Sequence, residues 1–225
     1  MNKRLALSWS GGKDGCMALH TLVQQGYTIA CLVTTVPAEM GRTFGHGDRT
    51  EMIQLQAEAL NIPVHFIECT FKSYTDRFVE SLSKLKEEYQ LTGIAFGDLY
   101  MDEHRDWGES VAKRAGVDAI YPLWMKQDES EVALKKFVES GYEAVVIRVR
   151  EELVDEAWLG RKVDSSFYHD IIKMNICPMG EAGEYHTYVF NGPLFKKKIK
   201  LGEPSIVEYE SSKKVEFDSF ILTNS

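Results

Sequence analysis

The hexapeptide Ser10-Gly11-Gly12-Lys13-Asp14-Gly15 lies between a short apolar run, Leu5 to Trp9, and a helical stripe of Cys16, Leu19 and Val23 that stops at Gly26. A strand, a glycine turn and a helix in that order open a βαβ unit, and this limits the rest of the chain more than any other feature. Further strand-like segments follow at Thr28 to Val36, Val64 to Ile67, Ile94 to Phe96 and Ala119 to Tyr121. Helical patterns separate them. Asp48, three residues before Glu51, reads as a capping box opening a helix through about Leu60. Phe78, Leu82, Leu85 and Tyr89 form one long apolar stripe, and Trp107, Val111 and Ala115 form another, closed by Gly116. The alternation predicts an α/β, doubly wound, mainly parallel five-stranded sheet with right-handed crossovers.

The second half carries a different pattern. A helix over Glu131 to Ser140 leads into a strand at Ala144 to Val149, and Asp164 stands as the cap of a helix from Ser165 to Met174. Extended segments follow at Tyr185 to Phe190, Lys197 to Tyr209 and Lys214 to Leu222. These describe a smaller α+β domain. The polar join Lys126-Gln127-Asp128-Glu129-Ser130 places the boundary, giving residues 1–127 as a nucleotide-binding domain and 128–225 as a substrate-binding one. At 225 residues the chain is long enough for both cores.

The formal charge of −8 argues against nucleic acid as a partner, because sequence-independent binding relies on clustered Lys and Arg. No apolar run has the length of a membrane span, and the stretch from Met1 to Ser8 is too short in apolar residues for a signal peptide. Cys16, Cys31, Cys69 and Cys177 form no Cys-x-x-Cys pair and read as reduced, mostly buried thiols. A cytoplasmic location follows as the expectation.

In a doubly wound sheet the first strand–helix turn faces the ligand crevice. Two adjacent glycines let the backbone turn tightly, so that successive N–H groups form an anion nest backed by the positive end of the helix. Ser10 adds a hydroxyl donor and Lys13 a charge. An ordinary glycine-rich turn with a solvated lysine has the same composition, and the spacing is neither a Walker A loop nor Gly-x-Gly-x-x-Gly. Asp98, after a strand and Gly97, reads either as a Mg²⁺ ligand beside Asp14 or as a helix cap. His46 and Arg49 sit in a loop past the second strand, suited to a nucleotide or simply exposed. Arg105 and Arg161 are weak candidates for an anion. Lys196, Lys197, Lys198 and Lys200 read as a charge-protected edge strand. Trp9, Trp107, Trp124 and Trp158 read as core.

The loop closely resembles the Ser-Gly-Gly-x-Asp-Ser signature of the PP-loop, or N-type, ATP pyrophosphatases. With Gly97-Asp98, Pro122-Leu123-Trp124, the segment Gly180-Glu181-Ala182-Gly183-Glu184-Tyr185-His186-Thr187 and Asn191-Gly192-Pro193-Leu194-Phe195, nearly the whole chain resembles the diphthine–ammonia ligase family. The resemblance implies an adenine nucleotide alpha hydrolase-like (HUP) fold and an enzyme that uses ATP with Mg²⁺. It would adenylate a carboxylate, release pyrophosphate, and let ammonia displace AMP to form an amide. Together with the residues read from their placement, the expected nucleotide-binding set is Ser8, Ser10, Gly11, Gly12, Lys13, Asp14, Gly15, Thr34, His46, Arg49, Gly97 and Asp98, with Asp14 and Asp98 for the metal. Lys13, Asp14, Glu181 and Glu184 would be catalytic, the two glutamates holding ammonium and taking its proton, and Gly183, His186 and Thr187 would meet the substrate. The family pattern has Ser where this chain has Gly15, and Glu where it has His186. The second departure bears on the acceptor: protein-bound diphthine, or a carboxylate of a small metabolite. A tRNA-thiolating enzyme and a non-catalytic ATP- or AMP-binding module are the rival readings, and the oligomeric state, including a homodimer, stays open.

Overall fold

A computed structural model describes residues 3–38, 41–210 and 212–224; Met1 and Asn2 of the N-terminal stretch lie outside them. The chain forms two compact units, one running to Ser10 and resuming over Asp14–Trp124, the other made of Gly11–Lys13 with the residues from Met125 onward.

The first unit is a parallel sheet flanked by helices. Its elements are β1 (Arg4–Ser8), α1 (Lys13–Gln24), β2 (Thr28–Pro37), α2 (Thr50–Leu60), β3 (Val64–Cys69), α3 (Tyr74–Tyr89), β4 (Gly93–Ala95), α4 (Asp102–Ala115) and β5 (Asp118–Ile120). The strand order is β3-β2-β1-β4-β5, every pairing parallel. Leu5, Ala6 and Leu7 of the central β1 are wholly buried, as a strand covered on both faces requires. One side of the sheet packs Ala6, Cys31, Val33 and Ile94 against Phe78, Leu82 and Leu85 of α3 and Val111, Ala112 and Ala115 of α4. The stripes read from the sequence are therefore the helix faces that meet the sheet, and the expected fold class holds.

Two helix starts differ from the expectation. α1 begins at Lys13, three residues before the apolar stripe, because the first turn of a helix needs no apolar contact to form. Asp48 does not hold the cap position of α2: that position is Arg49, whose side chain makes no capping bond, and Asp48 is buried in the preceding loop, where its N–H donates to Thr43 Oγ1 at 3.1 Å. Gly116 ends α4 in the left-handed conformation, as expected.

The second unit holds α5 (Ser130–Glu139), β6 (Glu143–Val149), α6 (Ser165–Ile171), β7 (Tyr185–Asn191), β8 (Lys197–Leu201), β9 (Pro204–Tyr209), β10 (Ser212–Phe217) and β11 (Phe220–Asn224). One antiparallel sheet has the order β7-β6-β10-β9, and a two-stranded sheet pairs β11 with β8. Asp164 caps α6 as expected, accepting from the Phe167 N–H at 3.0 Å. The extended segments Lys197 to Tyr209 and Lys214 to Leu222 each break in two. Gly202 packs so tightly on Asp218 and Ser219 that a Cβ there would lie 2.0 Å from Asp218 Oδ1. Gly202 donates to the Ser219 carbonyl at 2.8 Å, so both chains turn at one place and change sheet together. β8 takes its lysines into the small sheet, with Lys198 on Glu143 at 2.7 Å. All four cysteines are free, three of them buried. Among the described residues no helix is long and apolar enough to cross a membrane.

Candidate functional site

In the first unit the sheet order reverses between β1 and β4, since β2 and β3 extend one way from β1 and β4 and β5 the other. Ligands of open parallel sheets bind past the carboxyl ends of the strands at such a point. Ser8 ends β1, and Gly97-Asp98 follow β4.

Trp9, between β1 and the glycine turn, is fixed in three ways. Its N–H donates to Val33 O at 2.9 Å, its carbonyl accepts Thr34 Oγ1 at 2.7 Å, and its indole donates to Gln56 Oε1 at 2.9 Å. Thr34 therefore holds the backbone that enters the turn, its hydroxyl proton given to that carbonyl. Gly97 approaches the first turn of α1 so closely that a Cβ would lie 3.2 Å from the Asp14 carbonyl carbon and 3.3 Å from Gly15 N. Only glycine lets β4 and α1 meet this way. Asp14 stands in the first turn of α1, where the helix field favours its charge. Burial first, and then the Asp14 carboxylate, raise the Cys16 thiol pKa well above its ordinary value, so that thiol stays protonated.

Asp98 is not a helix cap, since α4 starts from Met101. Its Oδ1 lies 2.9 Å from His104 Nδ1, a partner that orients the carboxylate. The loop carrying His46 and Arg49 is a small hairpin at the carboxyl end of β2: Phe44 N–H donates to Thr35 O at 3.2 Å, and Arg42 bridges Arg49. His46 Nδ1 lies 3.9 Å from Asp48 Oδ2. Both residues thus belong to a hydrogen-bonded loop past the carboxyl end of β2. Arg105 pairs with Glu109 at 2.9 Å and lies 4.9 Å over the Trp124 ring, and Arg161 pairs with Asp170 at 2.9 Å over Trp158.

In the second unit Gly11–Lys13 lies along β7. Gly11, at φ +84°, accepts the Val189 N–H on its carbonyl at 3.0 Å, and the Lys13 N–H donates to Thr187 Oγ1 at 3.0 Å. The Lys13 ammonium is 2% exposed, donates to the Met179 carbonyl, and lies 4.9 Å over the Tyr185 ring. The solvated lysine of the sequence reading is excluded. In this arrangement Lys13 clamps the loop, in addition to any charge it offers a phosphate.

Residues 177–184 form a tight double turn, with Gly180 N–H on Cys177 O and Gly183 N–H on Gly180 O. Its last residue, Glu184, is only 5% exposed. Glu184 Oε1 accepts the Cys177 N–H at 3.1 Å, while its buried Oε2 has no hydrogen-bond partner among the described residues. A buried orphan acceptor costs about 1–3 kcal/mol unless something answers it. Glu181, on the same turn, is partly exposed and so differs from Glu184 in setting. His186 is partly buried on β7; burial, then the charges of Arg148 and Lys13, lower its pKa to about 3. Its imidazole is neutral at physiological pH. The sequence reading missed His104 and Arg148. Neither sits in a motif, and their partners, Asp98 for His104 and Ser212 and Glu210 for Arg148, come from other stretches of the chain.

The geometry is that of an α/β protein with a glycine turn at the topological switch point of a parallel sheet, and comparison with known proteins assigns it further. A family model described as the diphthamide synthase N-terminal domain matches residues 3–119, and one described as the diphthamide synthase C-terminal domain matches residues 129–219. The chain belongs to the diphthamide synthase family. It is similar to proteins named diphthine–ammonia ligase: 28% identical to that of Bos taurus over 92% of this chain and 86% of the relative, 28% to that of Homo sapiens over 91% and 85%, and 29% to that of Danio rerio over 84% and 83%. These findings agree with the resemblance read from the motifs.

Proposed function

We propose that this protein is an ATP-dependent ligase that adenylates a carboxylate and transfers ammonia to form an amide, acting in the cytoplasm. The observation that carries it is the glycine turn between β1 and α1, at the centre of the sheet, in a chain of the diphthamide synthase family. The acceptor carboxylate oxygen attacks the α-phosphorus and pyrophosphate leaves. Ammonia then attacks the acyl carbon and AMP leaves. Catalysis of this kind is mainly positioning and charge stabilisation.

The nucleotide fits the residues present. The close approach that Gly97 permits to the Asp14–Gly15 peptide, the positive φ of Gly11 and the start of α1 make a backbone surface suited to linked phosphates. Ser8, Ser10, Gly12, His46 and Arg49 complete the nucleotide set, with residues 1–127 as its domain and 128–225 as the substrate domain. Asp14 and Asp98 would hold Mg²⁺, and Asp98 fits because His104 already orients it. Mg²⁺, when bound, shares the charge of the phosphates. Glu184 receives ammonium at its unanswered oxygen and takes a proton from it, Glu181 assists, and Gly183, His186 and Thr187 form the acceptor's surroundings. The acceptor is protein-bound diphthine or a small-metabolite carboxylate.

The test is incubation with ATP, Mg²⁺ and ammonium across a panel that includes protein-bound diphthine and small carboxylates, with AMP and pyrophosphate measured. Acceptor-dependent AMP formation supports the reading. Nucleotide binding with no AMP under any condition would make the chain a non-catalytic nucleotide module.

A further inference from the structure

The backbone that leaves β1 for the glycine turn is held at one residue, Trp9, by partners from two other elements. Pairing of β1 with β2 is regular where Arg4 stands opposite Thr28 and Leu5 opposite Ile29, then it jumps. Ala6 stands opposite Cys31, Leu7 opposite Leu32 and Ser8 opposite Val33. Ala30 is therefore an extra residue in β2. Without it Val33 would stand opposite Trp9 and Thr34 opposite Ser10. Bulges are rare in parallel pairs, and they recur beside functional sites because they re-aim a side chain. Here the shift delivers the Thr34 hydroxyl to the Trp9 carbonyl, at 2.7 Å.

The side chain of Trp9 has an equally specific partner. Gln56 of α2 lies 47 residues further along the chain, is 0% exposed, and accepts the indole N–H on Oε1 at 2.9 Å. An indole N–H only donates, so the Gln56 amide must turn its oxygen to the ring. A large apolar residue at position 9 would fill the space without that demand. The bond between two buried polar groups fixes the rotation of the ring as well as its depth, because breaking it leaves both unsatisfied. The ring in turn meets the start of α1. A Cβ on Gly15 would lie 3.5 Å from Trp9 Cε3 and 3.6 Å from Cζ3, which is van der Waals contact with the first helical turn. One side chain thus takes its orientation from α2 and passes it to α1, while β2 holds its main chain.

We propose that Trp9 and Gln56 are positioning residues of the glycine turn. Their hydrogen bond holds the ring against α1, and the ring holds the helix start, with its N–H groups, in the arrangement that meets an anion. Support of this kind keeps a binding constellation within the small tolerance it needs. The ligase reading supplies only the identity of that anion, the pyrophosphate portion of ATP.

The experiment compares Gln56→Met, which keeps the length of the side chain and removes the acceptor, with Trp9→Phe, which keeps a ring and removes the donor, and with the double variant. Amide hydrogen exchange of the full chain is followed by NMR at Met17 and Ala18, whose N–H groups bond back to Lys13 and Asp14 in a helix that begins at Lys13. The amides of α4 are the internal reference. In Gln56→Met the first-turn amides accelerate about tenfold more than those of α4. The double variant is no faster than the faster single one, the non-additivity of a pair that acts together. A core-filling role alone gives another result, in which every protected amide accelerates by one factor because only global unfolding is eased. That result overturns the proposal, as do unchanged exchange at Met17 and Ala18 and additive effects in the double variant. Gln56→Met decides by itself if Trp9→Phe does not fold. Affinity for ATP with Mg²⁺ is scored separately by calorimetric titration, and a tenfold loss in Gln56→Met supports the anion named here. An exchange effect in a protein that binds no ATP defeats only the ligase reading, and ATP binding without an exchange effect defeats the positioning pair alone.

Discussion

The hydroxyl of Thr187 on β7 accepts the main-chain N–H of Lys13 at 3.0 Å, in surroundings where both residues are almost wholly buried. Thr187→Val keeps the shape and removes the acceptor, leaving a buried N–H without this partner. The expected loss is about 1–3 kcal/mol of stability, with weaker nucleotide binding, and Thr187→Ser restores most of both. Urea unfolding and calorimetric titration of ATP measure the two effects. Equal stability of Thr187→Val and wild type would show that the bond contributes nothing.

The two oxygens of Glu184 stand in different settings. Oε1 holds the Cys177 N–H, and Oε2 is buried without a hydrogen bond. Glu184→Gln retains a carbonyl for Cys177 but loses the charge, so the double turn folds while ammonium-dependent AMP formation falls by roughly 100-fold, the usual weight of a general base. Glu184→Ala also loses the Cys177 partner and lowers the melting temperature. A Gln variant with wild-type kcat would remove Glu184 from the chemistry.

Gly15 is buried in the first turn of α1, yet a Cβ added there meets the Trp9 ring at 3.5 Å, an ordinary contact. Gly15→Ser therefore fits. It stabilises the helix by about 0.5 kcal/mol through propensity and adds a hydroxyl donor at the helix start. A higher urea midpoint and tighter ATP binding are expected. A drop in stability would mean that the backbone at residue 15 needs glycine for its conformation.

His186 gives a pH dependence of defined sign. Its pKa is about 3 in the folded chain against 6.5 ordinarily, so between those values the unfolded chain binds a proton that the folded chain does not. Stability is complete above pH 6.5 and declines as pH falls toward 3, by up to about 1.4 kcal/mol per pH unit. His186→Gln removes this slope. Chemical denaturation of both proteins at pH 7 and pH 5 measures it, and parallel losses in the two would contradict a neutral, partly buried imidazole.

Within the sheet the pattern of apolar residues was sufficient. Leu5 to Trp9, the Phe78–Tyr89 stripe and Gly116 each report a local period or a local stop, and the strands and helices they imply are present. The extended C-terminal segments were harder to divide. Gly202 and Asp218-Ser219 break two strands only because each packs on the other, and nothing in either stretch alone says so. Asp48 misled for a related reason. A capping box is a local signature, but α2 starts one residue later, with Arg49 at the cap and Asp48 buried in the loop before it.

What the sequence determined by itself is the order of strands and helices, the parallel class of the first sheet and the glycine turn at its first crossover, because these follow from backbone freedom and hydrophobic period along one stretch of chain. The tertiary structure alone decided that Lys13 is buried on a carbonyl, that His104 orients Asp98, that one oxygen of Glu184 is unanswered, and that a single extra residue in β2 sets Thr34 against the Trp9 carbonyl. The physical reason is common to all four. The charge and hydrogen-bonding state of a side chain is set by neighbours across space, and those neighbours are fixed by register and packing between segments far apart in the chain.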